Sequence, residues 1–184
     1  TVVTMYLNSQ RVELAKKKGD FEKYAFVNDV GRITFLFWFN IHRQTYANMA
    51  DGAGASRKTE AEKALSCAAL QNKHFRLAIG HAIDRGAYVS QNVGEDLSLQ
   101  SVRNSITPGT YVSLEEDVTI DINGTATTFP KGTWYGAIVQ AQLDADNFGL
   151  QIWDAENLTN DGWDAWYNPA KAMEELQIAI EELK

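Results

Sequence analysis

The sequence predicts a mixed α/β fold, in which a mixed sheet is flanked by helices and a β-hairpin makes an excursion from it. Three observations carry this. The stretches Asn72 to Tyr88 and Asn168 onward each open on a helix-capping residue and continue with apolar residues at helical spacing. Arg32 to His42 is the most hydrophobic run in the chain and is rich in aromatic and β-branched residues. Val118 to Phe129 alternates in polarity on either side of Asn123-Gly124, a pair that favours the left-handed conformations of a type I′ turn.

Taken in order, Val2 to Tyr6 reads as a short strand. Asn8 or Ser9 can cap a helix that runs to Lys18 and stops at Gly19, and Lys16, Lys17 and Lys18 fall where the helix dipole favours cations. Tyr24 to Val27 reads as a strand. Arg32 to His42 is too short to span a bilayer, and its composition predicts a strand buried on both faces. Asn40 interrupts that run. A buried Asn needs hydrogen-bond partners, so it is expected to fix a turn or a strand crossing.

Asp51 to Arg57 is a loop. Thr59 to Leu70 is a helix with Ala64, Leu65, Ala68 and Ala69 on its apolar side. In the Asn72 helix, Phe75, Ala78, Ile79, Ala82 and Ile83 form the stripe, and Gly86 is a stop or kink. The small residues Ala78, Gly80 and Ala82 allow close approach of a neighbour. A short helix follows near Ala87 to Asn92. After the hairpin, which ends at Pro130, Trp134 to Leu143 is helical, and Asp144 to Asp164 is acidic, aromatic and irregular. The last helix starts at Asn168-Pro169. Met173, Leu176, Ile180 and Leu183 are its expected buried stripe, and Glu174, Glu175, Glu181 and Glu182 its solvent face.

The 184 residues suit one domain or a large piece of one, and five Trp within a 45% apolar composition supply a core. A net charge of −7 argues against nucleic acid and against docking on anionic lipid. Cys67 is the only cysteine, and its apolar setting argues for an inert thiol. The chain opens on what reads as mid-strand and closes on what reads as mid-helix, so an excised internal fragment is expected.

Chemistry-bearing constellations are few. His74 and His81 stand two turns apart, not at the one-turn spacing of a metalloprotease helix. Asp144, Asp146 and Gly149 match the first, third and sixth positions of a calcium loop, but Phe148 and Ala155 stand where the fifth and twelfth ligands are needed. No G-x-S-x-G and no glycine-rich phosphate loop is present. Arg76, Asp84 and Arg85 could be read as a charged set, but Asp84 and Arg85 are better read as ending a helix and tying it to its neighbours. No cofactor and no metal is expected.

The string Phe75-Arg76-x-Ala78-Ile79-x-x-Ala82-Ile83-Asp84-Arg85 resembles a signature of the family 5 extracellular solute-binding proteins, the oligopeptide- and dipeptide-binding receptors of bacterial ABC importers. Tyr167-Asn168-Pro169-Ala170-Lys171-Ala172-Met173-Glu174-Glu175-Leu176 is similar to a second helix of that family, and Phe39-Asn40 looks like its crossing strand. The resemblance covers roughly Phe35 to Lys184. It implies a fragment of a two-lobed, type II periplasmic-binding-protein-like fold. Residues 1–34 would be the tail of the first lobe with the crossing segment, and 35–184 part of the second.

It also implies peptide capture without catalysis, by a lipid-anchored protein at the extracellular face of the membrane that hands peptides to permease subunits. Phe37, Phe39 and Asn40 are the candidate ligand contacts. A stand-alone hydrolase using paired carboxylates of the acidic loop, or a non-catalytic adhesion or scaffold module, are the alternatives.

Overall fold

The computed structural model describes residues 8–25, 37–41 and 58–184. They fall into two compact units, one formed by 8–25 and 84–166, the other by 37–41, 58–83 and 167–184. The expected strands at Val2 to Tyr6 and over most of Arg32 to His42 lie outside the described residues.

In the first unit, α1 (Ser9–Lys18) starts at Asn8, whose Oδ1 accepts from the Arg11 N–H at 3.0 Å. It ends at Gly19, at φ 71°, a left-handed position that costs glycine no steric penalty. Lys16 in its last turn pairs with Asp96, which raises the lysine's pKa and lowers the carboxylate's. Tyr24 is not in a strand as expected. It closes the single helical turn α2 (Phe21–Tyr24).

The Asn72 helix is also shorter than predicted. It stops at Ala82, and Asp84 begins a new helix by accepting from the Ala87 N–H at 2.8 Å. That helix, α5 (Arg85–Val93), holds Gly86 inside its first turn, where the glycine is no stop. It is buried, and a Cβ there would sit 3.0 Å from Leu99. The turn α6 (Glu95–Ser98) runs into a 3₁₀ turn at Leu99–Ser101.

The hairpin forms as read. β1 (Val118–Ile122) and β2 (Thr125–Phe129) pair antiparallel with Ile122 opposite Thr125. Asn123 and Gly124 take φ of 51° and 82°, as a type I′ turn requires. This is the only sheet among the described residues, which together are mixed helix and strand. Helix α7 (Tyr135–Ala145) follows.

The core of this unit joins Val12, Val102, Ile122, Leu150, Ile152 and Trp153. Trp153 lies against two glycines. A Cβ on Gly109 would come within 2.6 Å of its ring, and one on Gly136 would overlap it outright. The same two glycines hydrogen-bond each other, Gly136 N–H to the Gly109 carbonyl at 3.0 Å.

The irregular strand-like segment beside them has no sheet partner, and Gln140 substitutes for one. Its Oε1 accepts from the N–H groups of Ile152 (2.7 Å) and Trp153 (3.2 Å), and its Nε2 donates to the Leu150 carbonyl (3.1 Å) and to Asp144 (2.7 Å). Buried backbone groups are satisfied this way without a ladder.

In the second unit, α3 (Glu60–Gln71) starts with a capping box. The Glu62 N–H reaches Thr59 Oγ1, and the Glu62 carboxylate accepts from Thr59, chiefly its backbone N–H, which holds the carboxyl below its usual range. The expected apolar side is not buried. Ala64 and Ala68 are exposed and Leu65 is 57% exposed.

Helix α4 (Lys73–Ala82) packs along α8 (Pro169–Glu182). On α8 the buried face is Ala172, Glu175 and Ala179, with Met173 and Ile180 exposed. The predicted stripe is therefore rotated. Alanines let the two helices approach closely, as anticipated for Ala78, which is buried on α4.

The Trp153 contact gives a direct test. Gly136→Ala is expected to lower unfolding stability by about 1–3 kcal/mol, because the added methyl must displace a packed indole. Urea unfolding followed by near-UV circular dichroism checks this; an unchanged midpoint would contradict the packing.

Candidate functional site

Helix α8 and, as far as Ile83, helix α4 carry the two motifs in the second unit, while Asp84 and Arg85, which close the first motif, begin α5 in the first unit. Asn72 caps α4 by accepting from the Phe75 N–H at 2.9 Å, and its Nδ2 donates to Glu182 at 2.8 Å at the far end of α8. Asn168 caps α8 by accepting from the Lys171 N–H at 3.0 Å, while its own N–H donates to the His81 carbonyl at 2.9 Å near the end of α4. Each cap therefore also ties its helix to the other.

Between them, His74 Nδ1 contacts Glu175 Oε2 at 2.6 Å, and Nε2 lies 3.8 Å from Glu182. Glu175 was expected on the solvent face and is 9% exposed. A carboxylate is tolerated there because a polar partner faces it. Arg76 is engaged at the end of α3. Its Nη1 donates to the carbonyls of Leu70 (2.8 Å) and Gln71 (2.7 Å), which would otherwise be orphaned at the end of α3.

The candidate contact residues lie in the segment 37–41. It carries no strand and is not buried on both faces as the sequence suggested. Phe37 is 69% exposed, Phe39 is half-buried and Asn40 is exposed. Asn40 is thus not a buried polar group in search of partners. The expected turn is present beside it: the Ile41 N–H donates to the Phe39 carbonyl at 3.1 Å.

Phe37 and Phe39 meet edge to face, with ring centroids 5.1 Å apart. The Ile41 carbonyl accepts from Gln71 Nε2 at 3.0 Å, which anchors the segment to the end of α3. Trp38, passed over in the sequence reading, is 73% exposed, more than either Phe.

In the first unit, Arg85 ties its helix to neighbours as its sequence context suggested. Its Nε (3.0 Å) and Nη2 donate to Asp164 Oδ1, its Nη1 to the Arg103 carbonyl (2.7 Å) and its Nη2 to Asn104 Oδ1 (2.8 Å). Asp164 also accepts from the backbone N–H groups of Arg85 and Trp166. Nothing in the spacing of Asp164 or Asn104 announced this.

The acidic stretch is engaged throughout in local structure. Asp144 accepts from Gln140, Asp146 from Asn123, and Asp161 from Thr159. Asp154 takes the Asn157 side-chain amide and the N–H groups of Asn157 and Glu156, which hold its carboxyl below the ordinary value of 3.8. Among the described residues no cluster of three or more His, Cys, Asp or Glu could hold a metal ion, and no helix is long and apolar enough to cross a membrane.

Two motif helices packed on one another and capped into each other make one structural element of the resemblance, and the chain is a relative of the family 5 extracellular solute-binding proteins. It is 28% identical over all 184 residues to the oligopeptide-binding protein AliB of Streptococcus pneumoniae serotype 4, covering 24% of that protein. It is 34% identical to the oligopeptide-binding protein AmiA of the same organism, over 79% of the chain and 18% of that protein. To the oligopeptide-binding protein AliA, again of that organism, it is 32% identical over 83% of the chain and 19% of that protein. The chain thus spans about a quarter or less of the curated relatives it matches. No protein-family model matches it.

Two outcomes are expected. Arg85→Ala leaves the nearly buried Asp164 without its cation and should cost about 3–5 kcal/mol, measurable by urea unfolding, and Arg85→Lys should recover only part because lysine lacks the planar fork. The Asp154 turn should contribute stability above pH 3.8, where both states carry the charge, and lose it as pH falls through the lowered folded value. The carboxyl chemical shift of Asp154 in an NMR titration tests the sign; a midpoint above 3.8 would reverse it.

Proposed function

We propose that this chain is part of the substrate-binding lipoprotein of an ABC-type oligopeptide importer, and that it serves peptide capture rather than catalysis. The observation that carries the reading is that the whole chain aligns with an oligopeptide-binding protein. The packing of both motif helices in one unit supports it.

In this reading the protein holds peptides in a cleft between two lobes at the extracellular face of the membrane and releases them to permease subunits. Residues 1–34 end the first lobe and form the crossing segment, and 35–184 belong to the second lobe of a type II fold. The exposed apolar residues Leu65, Met173 and Ile180 support a unit that packs against more of a larger protein.

Phe37, Phe39 and Asn40 are proposed as peptide contacts. The exposed Asn40 amide can both donate to and accept from a peptide main chain, and the Phe pair offers an apolar wall to side chains. Recognition through main-chain bonds beside roomy apolar walls suits ligands of varied sequence. Closure of the lobes would shift a pre-existing open–closed equilibrium toward the liganded form.

Mass spectrometry of ligand co-purified with the full-length protein tests the reading; mixed short peptides are expected, and their absence counts against it. In the full-length protein, Asn40→Ala and Phe37→Ala should each weaken peptide affinity about tenfold, as loss of one good contact would. The 184-residue chain alone should show no measurable peptide affinity by calorimetry; micromolar binding would mean that the chain holds a complete site and not part of an interlobe cleft.

A further inference from the structure

The tip of the hairpin carries a second kind of chemistry. An Asn followed by Gly is prone to spontaneous deamidation, because glycine has no side chain to keep its backbone nitrogen away from the preceding amide carbon. Asn123 and Gly124 are both exposed. The folded chain nevertheless holds the two reacting groups in other hydrogen bonds.

Asn123 Nδ2 donates to Asp146 Oδ1 at 2.8 Å, and Asn123 Oδ1 accepts from Gln142 Nε2 at 3.3 Å. The amide is thereby pinned at both its polar atoms to the last turn of α7. The attacking group is occupied as well, since the Gly124 N–H donates to Asp121 Oδ1 at 2.8 Å. All of these residues lie in the first unit.

We infer that Asn123 is a modification site: a deamidation site whose rate is set by docking of the hairpin on the C-terminal end of α7. In the reaction the Gly124 nitrogen attacks Asn123 Cγ. The N–Cγ bond forms, the Cγ–Nδ2 bond breaks, and the amide nitrogen leaves as ammonia, carrying the proton lost by Gly124. Water then opens the cyclic imide at one carbonyl or the other. One opening gives aspartate. The other gives isoaspartate, with an extra methylene in the backbone. Water is the only co-reactant.

Either product works against the docked state. A carboxylate replaces the amide that donated to Asp146, so an attractive contact becomes one between like charges. Isoaspartate also lengthens the two-residue loop, which no longer fits the turn geometry that fixes the strand register. One covalent event would therefore detach the hairpin from α7.

The purified protein, held at mildly alkaline pH, is followed by intact mass and by mapping isoaspartate in proteolytic peptides. Asp146→Ala and Gln142→Ala should each accelerate conversion of Asn123 about three- to tenfold, the loss of one protecting hydrogen bond, and urea-unfolded wild type should convert faster still. Equal rates in native and unfolded protein would overturn the inference. So would an unchanged rate in either variant when far-UV circular dichroism shows it folded. Gln142→Ala carries the test if Asp146→Ala fails to fold. A third measurement reads the consequence: Asn123→Asp should speed amide hydrogen exchange across 118–129, and unchanged exchange would overturn the claim of detachment.

Discussion

Asp164 is a nearly buried carboxylate, and the Arg85 guanidinium is what makes it tolerable. That single pairing fixes much else. The planar fork of Arg85 leaves donors for the Arg103 carbonyl and the Asn104 side chain, so two separate stretches of chain, 103–104 and the one at Asp164, are gathered on the first residue of one helix. Asn104 extends the set. Its Oδ1 also accepts from the Ala165 N–H, its Nδ2 donates to the Trp163 carbonyl, and its backbone N–H pairs with the Asn160 carbonyl. Gln140 repeats the device around 150–153. Among its described residues the first unit has one small hairpin for a sheet, and side-chain amides together with the Arg85 guanidinium order its long irregular stretches. Buried backbone groups must be paired somewhere, and here side chains supply the pairing.

The second unit is held differently. Helices α4 and α8 rely on alanine at the contact, a histidine–glutamate pair beside it, and caps that reach across to the other helix. The Arg76 guanidinium satisfies the end of α3, which leads into α4. The motif residues of the family resemblance are thus largely structural in this unit. Arg76 and Asn168 serve the end of one helix and the start of another, and Ala78 and Ala172 set how near the helices lie.

What could be read from the sequence was local chemistry. Asn8, Thr59, Asn72 and Asn168 cap their helices, and Asn123-Gly124 turns its hairpin, because each needs only neighbours a few residues away. Helix phase was harder. On α8 the larger residues Met173 and Ile180 suggested one face, whereas the buried face was chosen by the partner helix, which needs small residues and offers His74 to Glu175. The same dependence on a distant partner hid the role of Asp164, Gln140 and the two glycines on Trp153. Within the aromatic run, only the described residues 37–41 depart from the expected strand, for a related reason. Its composition says strand, but 37–41 has no ladder and is held by a turn and one Gln71 bond. For the candidate contacts Phe37, Phe39 and Asn40, exposure was not legible in the sequence.

The seating of Trp153 between two glycines has a spectroscopic corollary. Four of the five indoles, at 134, 153, 163 and 166, lie in the first unit, and the one in the second, Trp38, is largely in water. Emission from this chain therefore reports on one unit almost alone. A blue-shifted component belongs to the shielded ring at 153, and its red shift marks loss of that core, while melting of the helix pair would pass nearly unseen by fluorescence and register only in backbone ellipticity. The first body thus comes with an optical label of its own already built in.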